Sequence, residues 1–391
     1  MFEREITSSE ALFTIMSTIH TLGLHPVAHY ADPTNLVATA ELFDKHNNLV
    51  ESGSGKGPDA LVGALAESIE HFSTFHLPTD DRVWQRSDII ATQKAATHDG
   101  LLTNLPLTDE LIECVKLTTL DNNETIFIPS ILLSPQTANN TPSKNSSATK
   151  FLNRYSSNSG IAYGCTEAEA LLHGTLEIIE RHILSLFFMA VCAIGPKIRL
   201  YKPSKALLRK SLQNNESALE LADKLQIIII KDLMSVYFSV AFPKNGPGDL
   251  HLSPIGSGCS LDICTAIQRA VTEQLQSDLL YDTTEEASDR KTLEILSGSK
   301  NLKHLIDFSP IKNLKLPTIN EDLPSAKSTV PEQIYALSKT LLNTNKKIFR
   351  RTVARFSKNS IVSQTYIPGL ERFNIIRNGL LVAPQHILRG V

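Results

Sequence analysis

One stretch of the chain carries ionisable side chains at the spacing of a single helix face. The polar residues at this three- or four-residue repeat are Glu169, His173, Glu177, Glu180 and Arg181. Such a repeat places side chains on one stripe of an α-helix, and most of the other positions are leucine or isoleucine. Because so apolar a helix is expected to be surrounded by protein, its carboxylates need a compensating charge, which a divalent metal can supply. The alternative is an exposed face with a Glu177–Arg181 pair.

A second stripe of this kind lies near the middle of the chain. Arg269, Glu273 and Gln276 occur at i, i+4 and i+7, so they share one face of a predicted helix. On its own this stripe is ambiguous. A salt-bridged surface stripe is again the alternative.

A third segment combines glycines with a lysine. Gly53-Ser-Gly-Lys-Gly57 precedes a predicted helix that carries Glu67 and Glu70 away from its apolar core positions. Free N–H groups of a glycine-rich turn, with Lys56 beside them, can hold phosphate. The spacing is not that of a Walker A loop, and a plain turn with a solvated lysine is the alternative.

All three segments place a Gly/Ser-rich turn before an amphipathic helix, at 53–76, 157–189 and 256–280. Together they predict a polar cavity lined by carboxylates, arginine and glycine turns. That composition is suited to Mg²⁺ held between protein carboxylates and nucleotide phosphates.

The elements that must position these residues alternate between helices and strands. Predicted helices are Ser8–Leu22, Asp59–His76, Thr166–Met189, Leu261–Leu280 and Pro331–Leu342. Predicted strands are Asn35–Phe43, Glu124–Leu133, Leu225–Ile230, Val236–Pro243, Lys347–Arg355 and Ile361–Ile367. This order predicts an α/β (α+β) fold. The polar segment 134–150 is expected to be a mobile loop, and 297–324 to be irregular.

Composition excludes several classes of protein. The 391 residues are 42% hydrophobic with a net charge of −3, which predicts one large domain over 1–391 and no nucleic-acid partner. The chain start lacks a signal peptide and no apolar run could span a bilayer, so a cytoplasmic protein without a membrane partner is expected. Five scattered cysteines without a CxxC pair are expected to be reduced thiols.

Taken in order, the segments resemble the signatures of the YcaO family. The segment SNSGIAYGCTEAEALLHGTLEIIERH, which begins at Ser157, resembles the family's SNG…G…EA…E..ER signature. The GKG turn resembles the first signature, and Arg269, Glu273 and Gln276 resemble the R…E..Q signature. The sequence IPGLE from Ile367 resembles the family's PGLE ending.

The resemblance implies a large α/β domain, completed by 345–391, that binds ATP in a pocket without a Walker motif. The matching nucleotide positions are Lys56, Glu70, Glu169, Glu177, Glu180, Arg181, Arg269, Glu273 and Gln276. Among them Glu70, Glu169, Glu177 and Glu180 are expected to hold Mg²⁺, and Arg181, Arg269 and Glu273 to be catalytic. Family members phosphorylate a peptide amide oxygen after a nucleophile attacks the carbonyl. Attack by a neighbouring Cys, Ser or Thr gives thiazoline or oxazoline rings, as in bacteriocin-type antibiotics made from ribosomal peptides.

Four positions depart from the family pattern. The family usually has a hydroxyl at Ala66, a second acid at Ser73, and Ser and Asn at Ala162 and Cys165. These positions help to hold nucleotide and metal, so the sequence predicts an active enzyme with a modified pocket. A weakly catalytic scaffold subunit is the alternative.

Two features that are not found in the sequence bear on the expected partners and on the reaction. The chain ends PQHILRGV without a PxPxP tail and carries no recognisable leader-binding domain, so a precursor peptide with a leader and a separate leader-recognition subunit are expected. For an azole-forming complex the resemblance also implies a flavin dehydrogenase subunit, whereas sulfide or an amine as nucleophile would give a thioamide or amidine. Nucleophilic roles for Cys165 and Cys259, and metal binding by His173 and His182, are less favoured.

Overall fold

The computed structural model describes residues 3–77, 82–135, 147–320 and 328–388. The α-helices of these ranges are α1 (Ser8–Thr21), α2 (Ala60–Phe75), α3 (Ser87–Thr92), α4 (Gly100–Thr103), α5 (Ser130–Leu133), α6 (Ser147–Asn153), α7 (Glu167–Val191), α8 (Lys205–Ser211), α9 (Glu216–Lys224), α10 (Ile263–Leu279), α11 (Thr283–Ser297), α12 (Ser309–Lys312), α13 (Val330–Leu342) and α14 (Gln385–Leu388). Short 3₁₀ helices lie at Lys94–Ala96, Leu302–Leu305, Ser357–Asn359 and Phe373–Asn378.

The strands form four sheets. They are β1 (His25–Tyr30), β2 (Val37–Phe43), β3 (Leu49–Lys56), β4 (Arg82–Arg86), β5 (Leu111–Thr119), β6 (Thr125–Pro129), β7 (Ile161–Gly164), β8 (Lys202–Pro203), β9 (Leu225–Leu233), β10 (Val236–Pro243), β11 (Gly256–Ser260), β12 (Thr318–Ile319), β13 (Phe349–Arg355) and β14 (Ile361–Tyr366). One antiparallel sheet has the order β1-β2-β3, a second has β11-β10-β9, and β8 pairs with β12. The largest sheet runs β4-β5-β13-β14-β7, with β6 also paired to β5.

In each three-stranded sheet, a helix packs closely against the last strand, and that strand contains glycines. On β3, a Cβ at Gly55 would lie 1.9 Å from the carbonyl oxygen of Ala60 on α2. On β11, a Cβ at Gly258 would lie 2.4 Å from the carbonyl oxygen of Ala266 on α10. Only glycine permits so close a contact between strand and helix backbones.

The expectation that a Gly/Ser-rich turn precedes the helix is therefore wrong for the first and third segments, and the phosphate-binding turn expected at Gly53–Gly57 is a strand up to Lys56. Gly53 and Gly55 lie within the antiparallel ladder with β2, and Gly256 and Gly258 within that with β10. Gly57 does turn the chain, with a φ of 81°, but its N–H donates to the carbonyl of Leu36. Lys56, in contrast, stays at the end of β3 with its side chain toward the helices.

The long helix α7 is the central element of the core. Thr166 caps its start by accepting from the N–H of Glu169. Its apolar faces pack into the main hydrophobic cluster, where Phe187 and Phe188 contact Phe308. The stripe that carries its polar residues faces a cavity, while most of its apolar side chains are buried in the core.

Most predicted elements are confirmed within two residues, but two assignments change. The predicted strand Glu124–Leu133 is a strand only over Thr125–Pro129, after which the chain turns into α5. The predicted loop 134–150 ends early, because 147–153 are helical, and its residues 136–146 lie outside the described residues. No helix in the described part of the chain is long and apolar enough to cross a bilayer.

Candidate functional site

The nine side chains predicted to bind nucleotide line one cavity of about 370 Å³. They come from four elements, β3, α2, α7 and α10, while β7 supplies backbone on a further side. The full predicted set is Lys56, Glu70, Glu169, Glu177, Glu180, Arg181, Arg269, Glu273 and Gln276. The helical spacing that defined each stripe therefore brings the separate segments to a common site.

A chain of polar contacts joins β3, β11, α7 and α10. Lys56 of β3 forms an ion pair with Glu273 of α10. The Ser257 hydroxyl of β11 donates to Glu180 at 2.7 Å and lies 3.4 Å from Glu273. Burial alone would raise the pKa of Glu273, but the charges of Lys56 and Arg181 outweigh it, so this pKa lies below its ordinary value.

Arg181 is surrounded by carboxylates. Its guanidinium nitrogens lie 3.8 Å from a Glu177 oxygen and 3.9 Å from a Glu180 oxygen. Burial opposes the charge of Arg181, but the carboxylates, Glu180 first and Glu273 next, outweigh it and raise its pKa. The guanidinium therefore stays charged and can face an anionic ligand in the cavity.

Glu70 and Glu177 carry charges that the protein does not fully compensate. Burial raises the pKa of Glu70 well above its ordinary value, and its one backbone donor, the Tyr163 N–H at 2.7 Å, only partly opposes this. Burial also raises the pKa of Glu177, although Arg181 and the Gly160 N–H partly offset the effect. A bound cation would stabilise both carboxylates.

Glu169 has a different environment from the other acids. One carboxylate oxygen accepts from the N–H of Glu5 at 2.7 Å, and the other accepts from the N–H of Cys165 at 3.0 Å. The side chain thus anchors the chain start and the turn before α7 while it lines the cavity. Its predicted role as a metal ligand stays a prediction.

Arg269 projects toward the chain start. One nitrogen donates to the carbonyl of Cys259 at 3.0 Å, and another pairs with the carboxylate of Glu3. Glu3 also accepts from the Ser260 hydroxyl. Gln276 lies further along the same face of α10 and completes that wall.

Three side chains outside the predicted set of nine also line the cavity. Arg4, Glu67 and Tyr163 line the cavity, and the Glu67 carboxylate accepts from the Ser54 N–H. One guanidinium nitrogen of Arg4 is buried without a hydrogen bond, 3.7 Å from Asp59. Helical spacing could have assigned Glu67 to the face of Glu70, but no local pattern places residues 3–5 beside α7.

The positions that depart from the family pattern do not share one environment. Ala66, Ala162 and Cys165 line the cavity, so a side chain that can bind a ligand is missing from its wall. Ser73 instead is fully buried, and its hydroxyl has no hydrogen-bond partner. The alanine positions thus alter the cavity, whereas Ser73 lies in the core behind it.

The cysteines and histidines near the site are uncharged at neutral pH. Burial raises the pKa of Cys165 to about 11 and that of Cys259 well above its ordinary value. Burial lowers the pKa of His173, which lines the cavity, to about 4, and that of His182 to about 3. The His182 ring accepts from the N–H of Glu371, which is a structural contact.

The side chains that line the cavity suit a nucleotide bound together with a metal ion. Six carboxyl groups and four cationic side chains line the cavity, so acidic groups outnumber cationic ones by two. Across the described ranges, no three His, Cys, Asp or Glu side chains form a preformed metal cluster. Mg²⁺ is usually held by one or two carboxylates together with phosphate oxygens, so this arrangement suits it.

Comparison with known proteins supports this assignment. A family model described as YcaO cyclodehydratase, ATP- and Mg²⁺-binding, matches residues 53–371. A heterocyclase solved with substrate and cofactor has a TM-score of 0.65 and 16% identity over 98% of this chain, which spans 56% of that protein. No curated protein matches the chain significantly.

Two further solved structures share the fold. The YcaO protein of Methanopyrus kandleri, bound with AMPPCP and Mg²⁺, has a TM-score of 0.61 and 15% identity over 97% of this chain and 96% of its own. The microcin synthetase McbBCD complex of E. coli contains a chain with a TM-score of 0.56 and 14% identity, over 88% of this chain and 86% of its own. At 14% to 16% sequence identity, the structural similarity shows that this chain shares the fold and no more.

Proposed function

Because the chain belongs to the YcaO family of ATP- and Mg²⁺-binding cyclodehydratases, we propose that it forms azoline rings in a ribosomally made precursor peptide. The observation that carries the proposal is the convergence of the nine predicted side chains on one cavity. The family match extends over most of the chain, and we propose that residues 1–391 form a single domain.

In this proposal, Lys56, Arg181 and Arg269 hold the phosphates of ATP. Glu70, Glu177 and Glu180 bind Mg²⁺, with Glu169 as a further ligand that also anchors the turn before α7. ATP supplies the phosphoryl group that makes an amide oxygen a good leaving group. The chain's own contribution is to position the phosphates and the amide and to neutralise the charge that develops.

The position of Glu67 favours a catalytically active enzyme over a weakly catalytic scaffold subunit. The family's second acid on this helix is replaced by Ser73, whose side chain is buried away from the cavity. Glu67 stands six residues earlier on α2 and lines the cavity beside Glu70. We infer that Glu67 supplies a second acidic group on α2, although Ala66 and Ala162 keep a weakly catalytic scaffold subunit as the second candidate.

Ring closure within the substrate is the favoured chemistry. A Cys, Ser or Thr side chain next to the amide is tethered, so its effective concentration is very high. Cys165 and Cys259, the cysteines nearest the site, are neutral thiols and offer no sulfur delivery. A thioamide or amidine product is the alternative.

We further propose that the chain works with separate proteins. Its likeness to a chain of the microcin synthetase complex supports a leader-recognition subunit, and a flavin dehydrogenase subunit would oxidise azolines to azoles. Binding energy from the leader would position the core peptide, so the isolated chain is expected to be nearly inactive.

The test is mass spectrometry of the precursor after incubation with the chain, its partner, ATP and Mg²⁺. Loss of one water for each modified Cys, Ser or Thr is the expected result. A mass gain that matches oxygen-to-sulfur exchange, with free side chains, would assign the protein to thioamide formation. Unmodified peptide despite ATP binding would favour the scaffold function.

A further inference from the structure

A cavity of about 980 Å³ lies beside strand β9, and we call it the basic cleft. Strand β9 is one edge of the sheet β11-β10-β9, whereas β11, at the other edge, carries Ser257 next to the nucleotide cavity. Neighbouring strands lie about 4.8 Å apart, so the two edges are about 10 Å apart. Among the described residues, the basic cleft and the nucleotide cavity share no lining side chain. A ligand in the basic cleft would therefore leave the nucleotide cavity open.

Hydrogen bonds hold the two walls of the basic cleft together. One wall is the start of β9, and the other is the segment 309–316, which contains α12. The side-chain amide of Gln226 on β9 donates to the carbonyl of Ile311 at 3.2 Å. Just beyond this segment, the N–H of Lys202 donates to the carbonyl of Pro317 at 3.0 Å, where β8 pairs with β12. The width of the cleft is thus set by the fold itself.

The charged side chains of the basic cleft are mostly cationic. Four lysines from three separate segments line it, Lys202, Lys244, Lys312 and Lys315, together with one acid, Asp223. The Lys244 ammonium donates to the backbone carbonyl of Asp223, and among the described residues none of the four lysines forms an ion pair with a carboxylate. Basic groups outnumber acidic ones by three here, although the whole chain has a net charge of −3. The cleft therefore favours an acidic ligand.

The floor of the basic cleft is apolar. Leu225 and Ile227 of β9 are buried, Leu208 and Leu316 are half-buried, and Leu314 is 49% exposed. The described lining contains no phenylalanine, tyrosine or tryptophan on which a base could stack, which disfavours a nucleic acid. A small inorganic anion would leave the apolar floor uncovered. A peptide segment that carries both acidic and apolar side chains matches both parts of the lining.

We propose that the basic cleft docks an acidic, leucine-containing segment of the separate subunit with which this chain works. The acidic side chains of that segment pair with the lysines, and its leucines pack on the floor. The position of the cleft supports a partner over the reacting part of the substrate, because the reacting amide must reach the nucleotide cavity at the other edge of the sheet. The inference rests on the proposed function for the existence of the partner, but the docking does not depend on ring formation.

The experiment uses cleft variants at exposed positions, so each should fold normally. The first combines Lys202→Glu with Lys315→Glu and reverses two charges, and the second is Leu314→Asp. The matched control combines Lys94→Glu with Lys116→Glu, which reverses two exposed charges outside the cleft. Because this control changes the net charge equally, it separates the cleft from general electrostatic attraction.

The first measurement is fluorescence anisotropy with a labelled synthetic peptide of alternating glutamate and leucine. We expect both cleft variants to raise its Kd at least about tenfold, or about 1.4 kcal/mol, and the control to stay within about twofold. Binding should weaken with added salt, since the lysines are exposed. Equal binding of a glutamate–alanine peptide, or displacement of the probe by inorganic phosphate, would overturn the proposal, because the apolar floor would then have no role.

The second measurement is isothermal titration of the chain with the subunit that enables processing of the precursor. The complex should be weakened by both cleft variants and not by the control, while the Kd of a non-hydrolysable ATP analogue with Mg²⁺ stays within about twofold. This result supports docking even if no ring forms, an outcome that would refute only the proposed reaction. A complex as tight as that of the parent in both variants would overturn the docking and leave the function standing. Self-association of the chain that is lost in the cleft variants would assign the cleft to a second copy and overturn the partner.

Discussion

The ion pair between Lys56 and Glu273 connects two units across the cavity. One unit is the glycine-bearing strand β3 with its packed helix α2, and the other is the glycine-bearing strand β11 with its packed helix α10. Lys56 is 31% exposed and Glu273 15%, so the pair is neither fully buried nor a surface pair. Exposed pairs contribute up to about 1 kcal/mol, and loss of one partner from a buried pair costs about 3–5 kcal/mol. For Lys56→Met we therefore expect a loss of about 2 kcal/mol in the free energy of unfolding.

A double-mutant cycle isolates the pair itself. Without Lys56, Glu273 keeps the charge of Arg181 and the Ser257 hydroxyl at 3.4 Å, so part of the stabilisation remains. We expect Lys56→Met and Glu273→Gln to be coupled by about 1 kcal/mol. Urea denaturation of the nucleotide-free protein, followed by the fluorescence of Trp84, the single tryptophan, would measure it.

The dependence on pH provides a second check. Because the pKa of Glu273 is lowered in the folded protein, its stabilisation is present above the ordinary carboxyl pKa and is lost as pH falls through the lowered value. The matched control is the pair of Lys347 and Glu124, which are 41% and 44% exposed and should couple by less than about 0.5 kcal/mol. A coupling near zero at neutral pH, or one that persists unchanged in acid, would refute the reasoning.

Three further variants test the cavity and one tests the fold. Glu180→Gln should lower peptide-dependent phosphate release by about 100-fold or more, with the fold intact by circular dichroism. Glu70→Gln should stabilise the protein in EDTA, and increasingly so as pH rises, because a carboxyl with a raised folded pKa loses stability with rising pH; thermal unfolding between about pH 5 and 8 would show a constant difference if this is wrong. Cys165→Ala should keep turnover within about twofold, since a thiol with a pKa of about 11 is neutral, and a large loss would indicate a covalent role. Gly55→Ala should destabilise the fold by at least about 3 kcal/mol, because its Cβ would lie 1.9 Å from the carbonyl oxygen of Ala60; a melting temperature like that of the parent would contradict this.

The residues of each polar stripe could be predicted from sequence because their pattern is local. Residues three or four apart on a helix share a face whatever surrounds the helix, so Glu177 and Arg181 had to lie together. Their assignment to one cavity with Lys56 rested on the recurrence of similar segments and on the family signatures, since spacing within one helix does not reveal which helices meet. The positions of Glu3 and Arg4 depend on tertiary contacts alone, so no local sequence pattern indicates that they lie beside the cavity.

The glycine segments show where such a pattern is ambiguous. A turn with positive φ and a strand pressed against a helix both require a residue without a Cβ, so Gly53 and Gly55 satisfy either interpretation. The alternation of Ser52 and Ser54 with these glycines gave no hydrophobic period that would have indicated a strand. A similar ambiguity applies to Ile131, whose apolar run continues a strand pattern but lies in a short helix.

The two Gly-Ser-Gly strands explain how a cavity with excess negative charge can persist in a folded protein. In each unit the serine between the glycines contacts a glutamate of the packed helix, Ser54 with Glu67 and Ser257 with Glu273. Because helix and strand backbones touch at the glycines, their separation is set by backbone contact, and repulsion between the carboxylates cannot widen it cheaply. The cavity is therefore held in a shape that is costly when empty and becomes favourable when Mg²⁺ offsets the charges of its carboxylates and of the bound phosphates, as expected for a site organised before its ligand arrives.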